Sequence, residues 1–394
     1  MKIVITVEEF DPNKGYLEYY LAKELTKLGH KVCVFTFGWS KSVLRTTLRE
    51  GFEVVSVPHI AVVNKYHMPS LSGVAYITKF VKAEKPDIIH CQPLFSPLSL
   101  LFICLQRSFN YKIVGSLMSQ KFSIDKPTKK AMYYLAKIIT EQYVKSRSEL
   151  VFAKSGELMK ILTRLFNIGR QKFCIIPLGA DPELFKFDGK ARKHVRDLLG
   201  LHTNDVVIVY SGKITPQKDI DVLIKALVPL IAQNPKVKLL IVGEGESSYI
   251  EYLRGLISTF EISKNVFFHQ WVHRTRLPAF YSASDIAVWP GSSSISIVEA
   301  ASVGLPLVIE RSPVEIYAIE NENGFAFERG NISELREFLE TLIYNDTLRE
   351  EMNRRSRLLV EQKLNWRAIA TQYSDAYANV LKNVDKPSCR ARRE

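Results

Sequence analysis

Short apolar runs alternate with amphipathic segments along almost the whole chain. The runs are rich in Val and Ile and hold few polar residues, which is typical of strands buried on both faces of a parallel sheet. Between them apolar residues recur at helical spacing, as in residues 15–28. The predicted strands of the first half are MKIVITV, KVCVFTF, FEVVSVP, DIIHCQ, KIVGSLM, LVFAKS and KFCIIPL.

The second half repeats the pattern. Its predicted strands are DVVIVYSG, KLLIVGEG, NVFFHQWV, DIAVWP and LPLVIE, and its predicted helices cover residues 218–234, 247–260, 275–283 and 297–303. Near-continuous apolar strands separated by helices predict an α/β fold in which helices cover both faces of a parallel sheet. Two such series predict two doubly wound, Rossmann-like domains that face each other across a cleft.

The domain boundary is expected in the Pro-, Gly- and Asp-rich stretch PLGADPELFKFDGK, residues 177–190. We expect an N-terminal domain over residues 1–180 and a C-terminal domain over residues 181–364, since 394 residues exceed one ordinary core. The C-terminal domain ends in helices at 331–345 and 347–362. A last helix at 365–382 is expected to return to the N-terminal domain, ahead of a disordered tail at 383–394.

The composition predicts a soluble, cytoplasmic protein. The five cysteines are odd in number and scattered, with no CxxC pair, which argues against a disulfide framework or a zinc site. The N-terminus has no apolar segment of signal-peptide length. The longest uncharged apolar run, residues 95–105, has about half the length that a bilayer crossing needs.

The net charge of +13 is unevenly distributed. Residues 1–180 hold 26 Lys and Arg against 13 Asp and Glu, whereas residues 181–394 hold 28 of each kind. The whole excess therefore lies in the first half and predicts an anionic ligand or surface for that half alone. No recognised nucleic-acid-binding module accompanies the charge, so nucleic acid is not expected as a partner.

The candidate chemistry lies at strand ends, because open parallel sheets bind ligands there. In VYSGKITPQKDIDVLIKAL, Lys213 follows a strand and Lys218 begins the next helix. Two ammonium groups beside a helix N-terminus suit a diphosphate. The alternative is that both lysines only solvate a loop.

Further candidates follow the next strands. Gly243 and Gly245 in LLIVGEGES fit a tight turn that lets backbone approach a ligand or the facing sheet, although they are weak as a dinucleotide motif. Trp271, flanked by His269 and His273, could frame a base or only pack. His90, at the end of a buried strand, fits a core histidine better than a catalyst.

WPGSSSISIVEAASVGLPLVI, residues 289–309, contains one acid, Glu299. The nearby Ser292, Ser293, Ser294 and Ser296 supply hydroxyls at a helix start. A carboxylate in apolar surroundings must be solvated, paired or protonated. Glu299 is expected either to accept two sugar hydroxyls or to form a capping box with Ser296. The acids Asp219 and Asp221 are expected to cap a helix, with Mg²⁺ as the alternative.

Taken in order, these stretches resemble the family-4 retaining glycosyltransferases of the GT-B fold, over roughly residues 1–382. The resemblance is carried by DPNKGYLEYYLAKEL, PDIIH, SELVFAKSGEL, IIPLGADPELF, SGKITPQKDIDVLIKAL, IVGEGE, LPAFYSASDIAVWP and SIVEAASVGLPLVI. It implies that Lys213 and Lys218 grip a donor diphosphate and that Gly15 lies beside it. It also implies that Glu299, the second acid of an E-x7-E motif, holds the donor ribose.

The chain departs from that family at two positions. The first acid of the motif, which contacts the donor sugar, is replaced by Gly291. The family often has a histidine near the reacting sugar at the end of the fifth strand. This chain reads GSLMSQ there, with Met118. These departures leave room for an inactive relative.

The resemblance predicts a retaining hexosyltransferase that moves a sugar from a nucleotide-sugar to a lipid-linked or glycan acceptor, without a metal or other cofactor. The donor-binding residues would be Gly15, Lys213, Lys218, Gly243, Trp271, Ser294, Ser296 and Glu299. The alternatives are an inactive GT-B scaffold and a nucleotide-sugar epimerase. On the acceptor side, the basic segment 125–147, with Lys126, Lys129 and Lys130, predicts either an ordinary surface helix or contact with anionic lipid.

Overall fold

The computed structural model describes residues 1–13, 16–63, 66–94, 96–116, 142, 148–291, 294–311 and 316–382. The chain forms two compact units. Unit 1 contains Met1–Pro177 and the chain from Trp366 onward, and unit 2 contains Leu178–Asn365. These divisions lie within three residues of the expected boundaries at 180/181 and 364/365.

Unit 1 is built on a mostly parallel sheet with the order β3-β4-β2-β1-β6-β7-β8-β9, and β5 pairs with β4. Its central strands are apolar on both faces and fully buried, so helices must cover both sides. The strands are β1 (Lys2–Thr6), β2 (Lys31–Gly38), β3 (Leu44–Thr47), β4 (Glu53–Val63), β5 (Tyr66–Pro69), β6 (Ile88–Cys91), β7 (Lys112–Ser116), β8 (Ser148–Ala153) and β9 (Phe173–Ile175).

The helices of unit 1 supply the covering layers. Helix α12 packs on α1, and the ring of Trp366 stacks on that of Tyr20 with the centroids 5.0 Å apart. This helix therefore belongs to the first unit. The helices of this unit whose bounds the structure describes are α1 (Leu17–Lys27), α2 (Leu71–Glu84), α3 (Pro97–Leu105), α4 (Gly156–Phe166) and α12 (Trp366–Leu381).

Two strands of this sheet were not predicted. β3 and β5 run antiparallel to β4, so the expectation of a wholly parallel sheet is wrong at this edge. All four residues of β3 are exposed. An exposed edge strand shows no continuous apolar run, so periodicity does not reveal it.

Unit 2 holds a six-stranded parallel sheet within the described residues, in the order β12-β11-β10-β13-β14-β15. Five of its strands match the predicted runs, whereas β15 was not predicted. The strands are β10 (Val206–Ser211), β11 (Val237–Val242), β12 (Val266–His269), β13 (Ile286–Trp289), β14 (Leu307–Glu310) and β15 (Gly324–Phe327).

The helices of unit 2 connect these parallel strands, and a π-helical turn at Val360–Leu364 closes the unit. Helix α9 is terminated by the following residue, Gly304, whose φ of +99° is a left-handed conformation that glycine adopts without strain. The helices are α5 (Gly189–Leu199), α6 (Ile220–Gln233), α7 (Ser247–Thr259), α8 (Leu277–Ser282), α9 (Ser296–Val303), α10 (Ile332–Ile343) and α11 (Asp346–Leu359).

Two further observations bear on the compositional expectations. Cys33 and Cys91 are buried free thiols. In the part of the chain that the structure describes, no helix combines the length and apolarity needed to cross a membrane.

Candidate functional site

The carboxyl ends of β10, β11, β12 and β13 lie side by side in unit 2, and their loops carry most of the predicted site residues. β10 and β13 are joined beyond their backbone ladder, because the indole Nε1 of Trp289 donates a hydrogen bond to the carbonyl oxygen of Ser211 at 2.9 Å. The hydroxyls of Ser211 and Tyr281 lie 2.6 Å apart. Buried polar contacts of this kind hold the strand ends in one fixed geometry.

Lys213 follows β10, as the sequence predicted, whereas Lys218 lies two residues before α6 and does not begin it. The carbonyl oxygen of Lys213 accepts a hydrogen bond of 2.8 Å from the Tyr210 hydroxyl, and the Lys213 side chain is exposed. Lys218 ends a short 3-10 helix, Pro216–Lys218, immediately before α6. Both lysines therefore belong to the loop that leads to the N-terminal end of a 14-residue helix, where the helix dipole favours anions.

Gly243 and Gly245 allow the loop after β11 to approach the loop after β10. A Cβ atom at Gly243 would lie 1.9 Å from the carbonyl oxygen of Gly212, and one at Gly245 would lie 1.8 Å from that of Ile214. Ile214 and Gly245 also form a backbone bridge. These contacts join two neighbouring loops of the same sheet, and the expected approach to a ligand or to the facing sheet stays a prediction.

The serines after β13 are only partly described, since Ser292 and Ser293 lie outside the described residues. The Ser294 hydroxyl accepts a hydrogen bond of 3.3 Å from the backbone N–H of Ser296. The buried Ser296 is the first residue of α9. Both serines therefore lie at the start of α9, beside the loop that carries the two lysines.

Glu299 does not form the capping box that the sequence offered as an alternative. The N-cap of α9 is Ile295, which makes no side-chain cap, and Ser296 lies inside the helix. The Glu299 carboxylate is instead buried and forms an ion pair with Arg274, with Oε1 and Nη2 2.5 Å apart. Burial raises the pKa of Glu299, and the Arg274 charge partly opposes that rise.

Arg274 was not singled out from the sequence. It begins the short 3-10 helix Arg274–Arg276 that leads from the β12 loop into α8. Its guanidinium carbon lies 5.1 Å from the ring centroid of Phe185, so one face stacks on an aromatic ring while an edge meets Glu299. The available signal was the lone acid itself, because a buried carboxylate demands a cationic partner.

The residues around Trp271 divide into packed and exposed ones. The His269 ring packs on Phe280 with centroids 4.4 Å apart, and His273 caps the short helix by accepting a hydrogen bond from the Thr275 backbone. Trp271 itself is 57% exposed. A role of Trp271 in framing a base stays a prediction.

The acid pair at the start of α6 is engaged by cations. The carboxylate of Asp219 lies 2.7 Å from Nε of Arg329 and caps no helical N–H, so the expected capping role is wrong for this side chain. The carboxylate of Asp221 accepts hydrogen bonds from Lys225 at 2.8 Å and from Tyr249 at 2.9 Å. Neither acid is arranged with others in a metal-binding group within the described residues.

In unit 1, His90 is a buried core histidine, as expected. Its ring nitrogens lie 2.8 Å from the Tyr377 hydroxyl and 2.6 Å from that of Ser116. Burial lowers the pKa of His90 to about 3, so the ring is neutral at physiological pH.

Several predicted residues fall outside the described part of the chain. They are Gly15 of the donor side, Met118, and the basic residues Lys126, Lys129 and Lys130 of the acceptor side. Their roles stay predictions.

Two units in succession, each built on a mostly or wholly parallel sheet with covering helices, are the architecture of the GT-B class of proteins. The chain shares this fold with the Anabaena protein Alr3699/HepE in complex with UDP-glucose, with a TM-score of 0.73 and 19% identity. That match covers 96% of this chain and all of the Anabaena chain.

Two family models match the chain in succession. Residues 18–184 match glycosyltransferase family 4, and residues 192–359 match glycosyl transferases group 1. The protein therefore belongs to the group 1 glycosyltransferases of the GT-B fold.

Two curated relatives match over most of their length. An uncharacterized glycosyltransferase of Methanocaldococcus jannaschii is 24% identical, over 96% of this chain and 98% of its own. The GDP-mannose-dependent alpha-(1-6)-phosphatidylinositol monomannoside mannosyltransferase of Mycolicibacterium smegmatis is 24% identical, over 79% of this chain and 80% of its own.

Proposed function

We propose that the protein transfers a hexose from a nucleotide-sugar to a lipid-linked or glycan acceptor, with retention of the anomeric configuration. The observation that carries the proposal is the placement of Lys213 and Lys218 between β10 and α6. The neighbouring strand β13 leads to α9, the helix that carries the buried Glu299. A diphosphate at this edge of the sheet would meet two ammonium groups and a helix N-terminus.

In this mechanism the protein stabilises the charge of the departing diphosphate. The bond between the anomeric carbon and the diphosphate oxygen breaks, and the acceptor oxygen bonds to the anomeric carbon from the same face. The proton of the acceptor hydroxyl passes to the departing diphosphate oxygen. Lys213, Lys218 and the first N–H groups of α6 neutralise the negative charge that develops on the leaving group. No metal ion is needed in this scheme, because the lysines and the helix provide the positive charge.

The donor and acceptor classes are supported by the relatives. The mycobacterial relative is named for a GDP-mannose donor and a phosphatidylinositol-based acceptor, and the Anabaena structure contains UDP-glucose. The charge excess of residues 1–180 suits an acceptor carried by an anionic membrane. We infer a peripheral contact with the cytoplasmic membrane surface through segment 125–147.

The experiment is a binding and transfer assay with UDP-glucose, GDP-mannose, UDP and GDP. Lys213→Ala and Lys218→Ala should each weaken binding of the preferred nucleoside diphosphate by about 1.5–3 kcal/mol, the contribution of a charge-assisted hydrogen bond. Lys236→Ala is the matched control, since this exposed lysine precedes β11 at the opposite, amino-terminal edge of the sheet.

Calorimetry measures the affinities, and release of nucleotide in the presence of acceptor lipid or glycan measures transfer. Wild-type affinity in both lysine variants would refute the assigned diphosphate site. Tight binding of a nucleotide-sugar with no transfer to any acceptor and no nucleotide release would favour the scaffold alternative.

A further inference from the structure

Gly291 lies two residues after the end of β13, against the loop that precedes α6. A Cβ atom at position 291 would lie 2.7 Å from the carbonyl oxygen of Gln217 and 2.8 Å from the carbonyl carbon of Lys218. It would also lie 2.9 Å from the carboxylate oxygen Oδ2 of Asp219. Backbone atoms cannot yield as a flexible side chain does, so this loop arrangement excludes any side chain at position 291.

The space beside Gly291 is occupied by the carboxylate of Asp219. Asp219 has a φ of +51°, in the left-handed region, which glycine would adopt more readily than aspartate. Its side chain does not cap α6. The carboxylate therefore lies beside Gly291 and not over the N-terminal end of α6.

Arg329 holds the Asp219 carboxylate in this position. Its Nε lies 2.7 Å from Oδ2 of Asp219, and its Nη2 lies 3.4 Å from the carbonyl oxygen of Gln217. The Asp219 carboxylate raises the pKa of Arg329. The Asp219 side chain is 20% exposed, so solvent or a ligand can still reach it.

The acid at the position of Gly291 contacts the donor sugar in the family that the sequence resembles. Here position 291 carries no side chain, and a carboxylate from the neighbouring loop fills the adjoining space. We propose that Asp219 replaces that acid and accepts hydrogen bonds from hydroxyl groups of the donor hexose, with Arg329 as a positioning residue. This inference rests on the proposed function, since it needs a nucleotide-sugar at the carboxyl ends of β10 and β13.

The test separates the sugar from the nucleotide. Asp219→Asn retains the size of the side chain and its tolerance of left-handed backbone but removes the negative charge. Calorimetry on the full-length protein compares UDP with UDP-glucose and GDP with GDP-mannose. We expect Asp219→Asn to weaken binding of the preferred nucleotide-sugar about tenfold, as for one charge-assisted hydrogen bond, and to leave the matching nucleoside diphosphate within about twofold.

Asp346→Asn is the matched control. This aspartate is also paired with an arginine, with 2.5 Å between its carboxylate and Nη2 of Arg349, but it lies in the first turn of α11. It should leave both affinities unchanged. If Asp219→Asn does not fold, Asp219→Gly replaces it, since glycine adopts the observed backbone conformation freely.

Three results would overturn the inference. Equal nucleotide-sugar affinity in wild type and Asp219→Asn would show that Asp219 does not contact the sugar, while the proposed function would stand. Equal losses for nucleotide and nucleotide-sugar, with earlier melting, would assign Asp219 a structural role in the loop. Failure of wild-type protein to bind any of the four compounds would refute the proposed function and this inference with it.

Discussion

The ion pair between Arg274 and Glu299 makes a quantitative prediction about the ligand-free protein. The two side chains are only 10% and 3% exposed, and their charged atoms lie 2.5 Å apart. Glu299→Gln retains the shape of the side chain and removes its charge. Arg274 would then still stack on the Phe185 ring but would lose its buried counter-charge.

The expected cost follows from the burial. Removing one partner of a buried ion pair costs about 3–5 kcal/mol, because the other charge stays in a medium of low polarity. The lower end applies here, since burial raises the pKa of Glu299 and offsets part of the attraction. For a domain of this size, about 3 kcal/mol corresponds to a fall of about 6–12 °C in Tm.

Differential scanning calorimetry of the ligand-free protein measures this fall. A double-mutant cycle with Arg274→Met separates the pair from its surroundings. We expect the double variant to be more stable than the sum of the two single losses predicts, because it leaves no unpaired charge. Single losses below about 1 kcal/mol that simply add in the double variant would refute the coupling.

The same variants report on nucleotide binding. If Glu299 binds ribose hydroxyls in addition to pairing with Arg274, Glu299→Gln should weaken nucleoside diphosphate binding more than Arg274→Met does. Equal affinities in the two single variants would assign Glu299 to the ion pair alone.

Two further predictions concern unit 1. Burial raises the pKa of Glu18 from its ordinary value of 4.5 to about 7. The stabilising contribution of Glu18 is therefore complete below pH 4.5 and is lost as the pH rises through about 7. Between pH 5 and 8.5 wild type should lose up to about 3 kcal/mol more stability than Glu18→Gln in urea titrations, and parallel pH profiles would contradict this. The protein should also sediment with anionic but not neutral vesicles at low salt. Replacing Lys126, Lys129 and Lys130 with Glu should abolish this binding without changing Tm, and wild-type protein that ignores anionic vesicles would contradict the membrane contact.

Much of the fold followed from local pattern. Buried parallel strands are apolar on both faces, so their runs are visible in any window of the sequence. The positions of Lys213 and Lys218, one after a strand and one before a helix, are equally local. Edge strands such as Leu44–Thr47 lack this signal, because they form by pairing with a neighbour and stay exposed.

The contacts that define the site depended on the tertiary structure. Arg274 and Glu299 are 25 positions apart, and Asp219 and Gly291 are 72 positions apart. The sequence showed that Glu299 needed a partner and that position 291 lacked the expected acid. Residues at many positions could have supplied that partner or that acid. Only the tertiary structure brings the Arg274 guanidinium to Glu299 in α9 and the Asp219 carboxylate to Gly291, because side-chain pairing depends on distance in space and not along the chain.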